Sequence, residues 1–290
     1  MVEQVSSLKT GVKYKETPIG KIPVDWEVVQ IKDISKNFFN GGTPDTTNKD
    51  YWDGNIPWVT GADFENQKIG NMRRYITSEG VKNSATNVIS KGNLLVVTRT
   101  GVGKLAIAPF GIAFSRDITG VILDQKKTLT NYLYWYLNDS KNRLKALIQR
   151  TSINSLFRLD LESFVVSLPP ISEQKKIADI LSTVDDVIHK TTQIIEKTKE
   201  LKKGLMQRLL TRGIGHTRFK KTETGEIPVD WEVVKLRDTM NKFYKEQKKI
   251  AKILSSIADG LEKESNHRDQ IILLKKGLMQ VLLTGKLRIA

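Results

Sequence analysis

The apolar positions of this chain change rhythm near Pro170. Between Trp26 and Pro170 they come in short clusters, Ile56-Pro-Trp-Val59, Asn93-Leu-Leu-Val-Val-Thr98, Leu105-Ala-Ile-Ala108 and Thr119-Gly-Val-Ile-Leu123. Gly, Asn, Asp and Pro bound them, which predicts short strands and turns. One helix is predicted among these strands, Leu129 to Arg150, with Tyr132, Trp135, Tyr136, Leu144, Leu147 and Ile148 on one side. Those aromatics are expected in the core rather than stacked on bases. Pro169-Pro170 ends the last strand, and Ser172 is the expected N-cap of a long helix. From there Ile177, Ile180, Leu181, Val184, Val187, Ile188, Ile194, Ile195, Leu201 and Leu205 fall at helical steps. The same rhythm returns at Ile250, Ile253, Leu254, Ile257, Leu261, Ile271, Leu274 and Leu278. A stripe of about 35 residues makes a rod of about 50 Å, and a near-heptad stripe that long needs an apolar partner. The matching stripe of the same chain is the expected partner, in an antiparallel pair seamed by Ile177, Leu181, Val184 and Ile188 with Ile250, Leu254, Ile257 and Leu261. Gly213, Gly215 and Gly225 permit the reversal between them. The alternative is that both stripes pack on a globular core.

The two stripes belong to a repeat. Ile22-Pro-Val-Asp-Trp-Glu-Val-Val29 recurs at 227–234, Glu173-Gln-Lys-Lys-Ile-Ala178 at 246–251, and Lys202-Lys-Gly-Leu-Met-Gln207 at 275–280. The last two pairs share one offset, from 173 to 246 and from 202 to 275, whereas the first pair is set much further apart, from 22 to 227. The second copy therefore lacks a stretch of about 130 residues, the size of a domain, between its opening motif and its helix. Gly204 and Gly277 recur inside the helical pattern, where each costs about 1 kcal/mol relative to Ala. They are expected to mark close helix approach or a local break.

Charge adds a partner class. The 290 residues hold 47 Lys+Arg against 32 Asp+Glu, a formal net charge of +15, and the pI near 9.7 favours a polyanionic partner. Candidate DNA-contacting side chains in the loops are Lys68, Arg73, Arg74, Lys82, Asn83, Arg99, Lys104 and Arg116. Arg and Asn can read base edges, whereas Lys mainly sets position on phosphates. No run reaches the roughly 18 apolar residues of a membrane helix, and Met1 to Lys15 has no apolar secretory core, so a cytoplasmic, soluble chain is expected. The sequence has no cysteine and three scattered histidines, His189, His216 and His267, which leaves no ordinary thiol or histidine metal site. Catalytic spellings fail as well. Thr100-Gly-Val-Gly-Lys104 lacks the first glycine and the final Ser/Thr of a phosphate loop, and Leu168-Pro-Pro-Ile171 lacks the polar ends of an amino-methyltransferase motif. A weak metal-nuclease set remains, Pro44-Asp45 with Asp124-Gln-Lys126.

The order Ile22-Pro-Val-Asp-Trp26, Gly41-Gly-Thr-Pro44, Ile56-Pro-Trp58, the Gly92-to-Gly103 strand and turn, and Leu168-Pro-Pro-Ile-Ser-Glu-Gln174 resembles the specificity subunits of type I restriction–modification enzymes. The resemblance covers nearly the whole chain. It implies an α+β fold in which a target-recognition domain (16–170) follows a short tail (1–15). Two long helices (171–212 and 244–290 with the C-terminal tail) would pack antiparallel, joined by a linker and remnant of a second recognition domain (213–243). It further implies no catalysis and no cofactor on this chain. Double-stranded DNA would be its ligand. Modification subunits carrying S-adenosylmethionine and methylating adenine would dock on the helices, and a restriction motor subunit would complete the assembly. The sequence departs from the family in the missing second domain, so one chain is expected to read one half-site. Either it acts alone with modification subunits, or two chains associate through their helices to read a symmetric site. The rival readings are a docking protein that never reads DNA and a stand-alone magnesium nuclease.

Overall fold

A computed structural model describes residues 12–65, 68–70, 72–148, 155–235 and 245–289. The chain divides into two compact units, one formed by Met1–Ser182 with Gly277–Ala290, the other by Thr183–Lys276.

The first unit opens with an antiparallel hairpin of β1 (Tyr14–Lys15) and β2 (Ile22–Pro23), followed by β3 (Glu27–Gln30). Two four-stranded sheets make up its body. One contains β4 (Ser35–Asn40), β10 (Leu94–Val97), β11 (Leu105–Ile107) and β13 (Ile118–Leu123), in the order β11-β10-β13-β4, all antiparallel. The other contains β5 (Trp52–Val59), β8 (Tyr75–Ile76), β9 (Val88–Ile89) and β12 (Ile112–Phe114), in the order β8-β5-β12-β9, with β5 and β12 parallel. A short ladder joins β6 (Phe64–Glu65) to β7 (Lys68–Ile69).

The unbroken apolar run of β10 reflects burial on both faces. Leu94 and Val96 enter the core shared with the helices, while Leu95 and Val97 enter the core between the sheets. Each fully buried side chain of this kind is worth about 1.5–3 kcal/mol, so the run holds the two cores to one sheet.

The helix expected over Leu129–Arg150 is instead two: α2 (Thr130–Asp139) and α3 (Lys141–Ile148), with residues 149 and 150 outside the described region. Ser140 ends α2 by donating its backbone N–H to Tyr136 at 3.0 Å, and its own carbonyl accepts from Leu144 at 3.0 Å. Tyr132, Trp135 and Tyr136 lie in the core. The Tyr132 hydroxyl donates to the Ser167 carbonyl at 2.8 Å, and the Trp135 indole donates to Ser182 at 3.0 Å.

After the short α1 (Ser78–Lys82) and α4 (Arg158–Glu162), β14 (Val165–Leu168) pairs antiparallel with β3, and α5 (Ile171–Arg212) begins. Its N-cap is Pro170, not Ser172: the Pro170 carbonyl accepts from the N–H groups of Glu173 and Gln174, each at 2.9 Å. Two side chains of this first turn are buried. Trp26, itself fully buried, donates its indole N–H to Glu173 at 3.1 Å, and Arg288 donates to both oxygens of Glu173 at 2.7 and 2.8 Å while also gripping Asp25. The bonds to Asp25 and then Glu173 raise the Arg288 pKa above its ordinary value. Gln174 accepts from the Leu129 N–H at 2.9 Å and donates to the carbonyls of Lys127 and Pro169, which fastens the start of α2 to α5.

In the second unit a hairpin of β15 (Phe219–Thr222) and β16 (Gly225–Pro228) repeats the β1–β2 hairpin. Of the recurring motif at 227–234, only Ile227 and Pro228 lie in a strand among the described residues. The reason is pairing. Glu27–Gln30 is a strand because β14 lies beside it, and the second copy lacks the residues that would supply such a partner. At the start of α6 (Lys245–Leu282), Glu246 accepts from the Trp231 indole at 3.0 Å and the Ile214 N–H at 2.6 Å, and His216 contacts both its oxygens at 3.0 and 3.1 Å. These contacts place the end of α5 beside the start of α6, and an ion pair of Lys275 with Asp185 fixes the other end of the unit. The two helices are therefore antiparallel, as their stripes require.

The seam is narrower than the stripe. On α5 the covered positions include Val184, Ile188, Thr191, Ile195, Thr198, Lys202, Leu205 and Leu209, alternating steps of three and four. On α6 they include Ile250, Leu254, Ile257, Leu261, Arg268, Ile271 and Lys275. Ile177 and Leu181 join the core of the first unit. Val187, Ile194 and Leu201 are 41%, 54% and 57% exposed and lie outside the seam, as do Ile253 and Leu274. Gly204 and Gly277 mark neither a break nor a close approach, since both helices are continuous there and a Cβ on either residue would meet nothing within 4 Å.

Burial alone would push the Glu246 carboxyl up, but the His216, Ile214 and Trp231 contacts outweigh it and lower its pKa. A carboxylate depressed in the folded state stabilises above its unfolded value and loses that stabilisation as pH falls through the folded one. Glu246→Gln is accordingly expected to cost about 1–3 kcal/mol at neutral pH, with the gap to wild type closing below pH 4.5, the ordinary glutamate value. Denaturant unfolding across pH checks this. In the same assay Gly204→Ala is expected to stabilise by up to about 1 kcal/mol.

Candidate nucleic-acid interface

The turn from β10 to β11 and the segment before β13 place cations together. Arg99, Lys104 and Arg116 line one cleft of about 1040 Å³, and Asp117 lines it as well. Gly101 and Gly103 in this turn stand at φ of 91° and 89°, which a tight connection of antiparallel strands uses and most side chains resist. Lys104 also donates to the Gly61 carbonyl at 3.1 Å, tying the turn to the segment after β5. The phosphate-loop likeness of Thr100-Gly-Val-Gly-Lys104 fails structurally as well as by spelling. The segment joins two strands, where a phosphate loop would open a helix.

Two cations of the cleft are not among the candidates that the sequence suggests. Lys141 and Lys145 of α3 complete its lining, with Thr100, Ile148 and Ser155. Their i, i+4 spacing is visible in the sequence, but only the break at Ser140 turns that face of α3 to the cleft.

The other candidates lie elsewhere and carry local bonds. Arg73 is paired with the buried Asp63, whose other oxygen accepts from the N–H and hydroxyl of Thr60 at 2.8 Å. Burial raises the Asp63 pKa, yet the bonds from Arg73 and Thr60 prevail and lower it. Arg74 lies over the Trp58 ring, 5.6 Å from its centroid. Lys82 and Asn83 close α1, both bonded to Glu79 at 3.3 and 3.0 Å. Lys68 is exposed at the start of β7.

The nuclease set is not assembled. β4 and β13 are antiparallel, so Asp124 leaves the ladder where Leu123 faces Ser35, while Asp45 follows its other end, where Asn40 faces Thr119. Asp45 instead caps Thr47, accepting from its N–H and hydroxyl at 2.9 and 2.8 Å, which lowers its pKa. Among the described residues no group of three or more His, Asp and Glu could hold a metal ion, and no helix is long and apolar enough to cross a membrane.

The chain thus combines a mixed α+β domain that carries a basic cleft with two antiparallel helices. Residues 23–200 match the family of the Type I restriction modification DNA specificity domain, and the chain belongs to that family. It is 34% identical over 245 residues to the Type I restriction enzyme MjaIX specificity subunit of Methanocaldococcus jannaschii, covering 79% of this chain and 54% of that one. It is 26% identical over 186 residues to the EcoR124I/EcoR124II specificity subunit of Escherichia coli, covering 62% of this chain and 45% of that one. The chain thus spans about half the length of these curated relatives. The S subunit of a Type-I restriction-modification system from M. genitalium shares the fold, with a TM-score of 0.60 at 12% identity over 95% of this chain and 97% of that one.

Asp63→Ala removes the acceptor of both Thr60 and Arg73. It is expected to cost about 1–3 kcal/mol of stability, measured by denaturant unfolding, while Lys82→Ala, a change in an exposed ion pair, is expected to cost under about 1 kcal/mol.

Proposed function

We propose that this chain is a non-catalytic specificity subunit that reads one DNA half-site and directs partner subunits to it. The cleft lined by Arg99, Lys104 and Arg116 carries this reading, because it gathers guanine-reading and phosphate-binding side chains on the one recognition domain the chain has. The exposed apolar positions Val187, Ile194 and Leu201, outside the intrachain seam, support docking of modification subunits on the helices. Methyl transfer would belong to those subunits with their S-adenosylmethionine, and cleavage to a restriction motor subunit. The second copy lacks the domain-sized stretch that a second recognition domain would need, which supports a single half-site per chain.

The test is DNA binding and methylation on randomised duplexes, by this chain alone and mixed with its modification subunit. A short motif methylated only in the mixture is expected. A single half-site motif would mean one chain per complex, and a symmetric split motif would mean two chains joined through their helices. A complex that assembles but selects no sequence would leave a docking protein. Within the mixture, Arg99→Ala and Arg116→Ala are each expected to relax selection at one or two positions, losing about 1–3 kcal/mol of discrimination there. If DNA affinity and selection survive charge reversal at Arg73, Arg74 and Arg116 together, the docking reading prevails.

A further inference from the structure

We infer that Lys141 and Lys145 of α3 form a sequence-blind clamp on a phosphodiester backbone crossing the cleft, distinct in role from the arginines beside them. The inference rests on the DNA-binding reading of the cleft and divides its labour.

Arg143 of α3 donates to the Tyr136 hydroxyl at 3.2 Å and the Val165 carbonyl at 3.0 Å, and its guanidinium lies 4.6 Å from the centroid of the Phe164 ring. Lys141 and Lys145 are four residues apart, hence on one face, and both line the cleft. Leu144 between them is fully buried and Ser140 caps the preceding turn, so the face they share is held in place. No acidic residue occurs in α3, and Asp117 is the one acidic residue that lines the cleft with the five cations. A methyl on Gly103 would lie 3.7 Å from Cγ of Lys141, so the turn that carries Arg99 and Lys104 borders this face directly.

Residue type then decides the role. An ammonium on a flexible stem is a point charge that follows a phosphate and lacks the planar fork that pairs with a base edge. Phosphate contacts of this kind carry no sequence information, but each adds about one to the salt dependence of binding. The shared chemistry, a phosphate ester, could also come from a small phosphorylated molecule; the cleft's breadth and its five cations favour a polymer.

The experiment uses the full chain with its modification subunit and measures affinity for cognate and scrambled duplexes across a salt series. For Lys141→Ala/Lys145→Ala the expected result is an equal fold-loss of affinity on both duplexes, an unchanged motif, and a slope of log K against log salt shallower by about 2. Lys141→Arg/Lys145→Arg should restore the slope, which separates lost charge from a disturbed fold. An altered motif, or an unchanged slope, overturns the clamp. So does displacement of DNA by inorganic phosphate or a mononucleotide beyond the effect of chloride at equal ionic strength, because the cleft would then hold a small ligand. If the wild-type complex binds both duplexes equally and the double variant still flattens the slope, the clamp stands and sequence reading fails. If the wild-type complex binds neither duplex, both fail.

Discussion

A glutamate in the first turn of each long helix, fully covered at 173 and half-buried at 246, holds this protein in order. A carboxylate withdrawn from water is costly unless it is paired and hydrogen-bonded, and both are. Glu173 takes the indole of Trp26 and the guanidinium of Arg288; Glu246 takes the indole of Trp231 and the imidazole of His216. The tryptophan belongs to the repeated opening motif, and the third partner follows the C-terminus of the other long helix. Three distant stretches of chain are therefore tied at a single side chain, twice. The residues just past the helices are glycines where a side chain would not fit. Gly285 stands at φ 68° with Pro23 against the place of its missing Cβ, and Gly213 stands at φ 64° with Glu246 2.5 Å from that place.

The likeness of the two fastenings runs down to small bonds. Lys15 donates to the Val24 carbonyl at 3.1 Å as Lys220 donates to Val229 at 2.8 Å, and Thr17 donates to Gly20 at 2.6 Å as Thr222 donates to Gly225 at 2.7 Å. The third member differs. Arg288 spans Glu173 and Asp25 with a charged, forked contact, whereas His216 meets Glu246 closely and Asp230 only at 3.5 Å. Charge-assisted, two-pronged contacts are the stronger kind, so the fastening of the first unit is the firmer one.

Much of this is legible in the sequence. The α+β class, the antiparallel helix pair and the core placement of Tyr132, Trp135 and Tyr136 all follow from periodicity and repeat offsets, which are local or self-referential signals. What escapes depends on distant partners. Ser172 has the residue type of an N-cap, but the chain geometry after two prolines makes Pro170 the cap. Glu232-Val-Val234 repeats the Glu27-Val-Val29 of β3 without being a strand, because pairing comes from β14 and nothing equivalent remains in the second copy. Val187, Ile194 and Leu201 match the helical rhythm yet lie off the seam, since a two-helix contact covers a narrower stripe than an amphipathic count suggests. Arg288 and His216 sit in no motif; only the fold brings them to the glutamates.

The repeat also separates what the two copies share from what only one possesses. They share the hairpin, the tryptophan and the bonded glutamate, and these form in the second unit with the intervening domain absent. The fastening is thus independent of the domain that would be inserted between Trp231 and Glu246, because every bond it needs comes from residues outside that insertion. Among the described residues the first copy alone holds β4 to β14 and the α2–α3 pair, and with them the cleft. Because β14 closes the strand-rich domain by pairing with β3, directly beside Trp26 and before Glu173, that domain begins and ends at the fastening itself. The bonds at Glu173 come from Trp26 and Arg288, and so involve none of Arg99, Arg116, Lys141 and Lys145 that line the cleft.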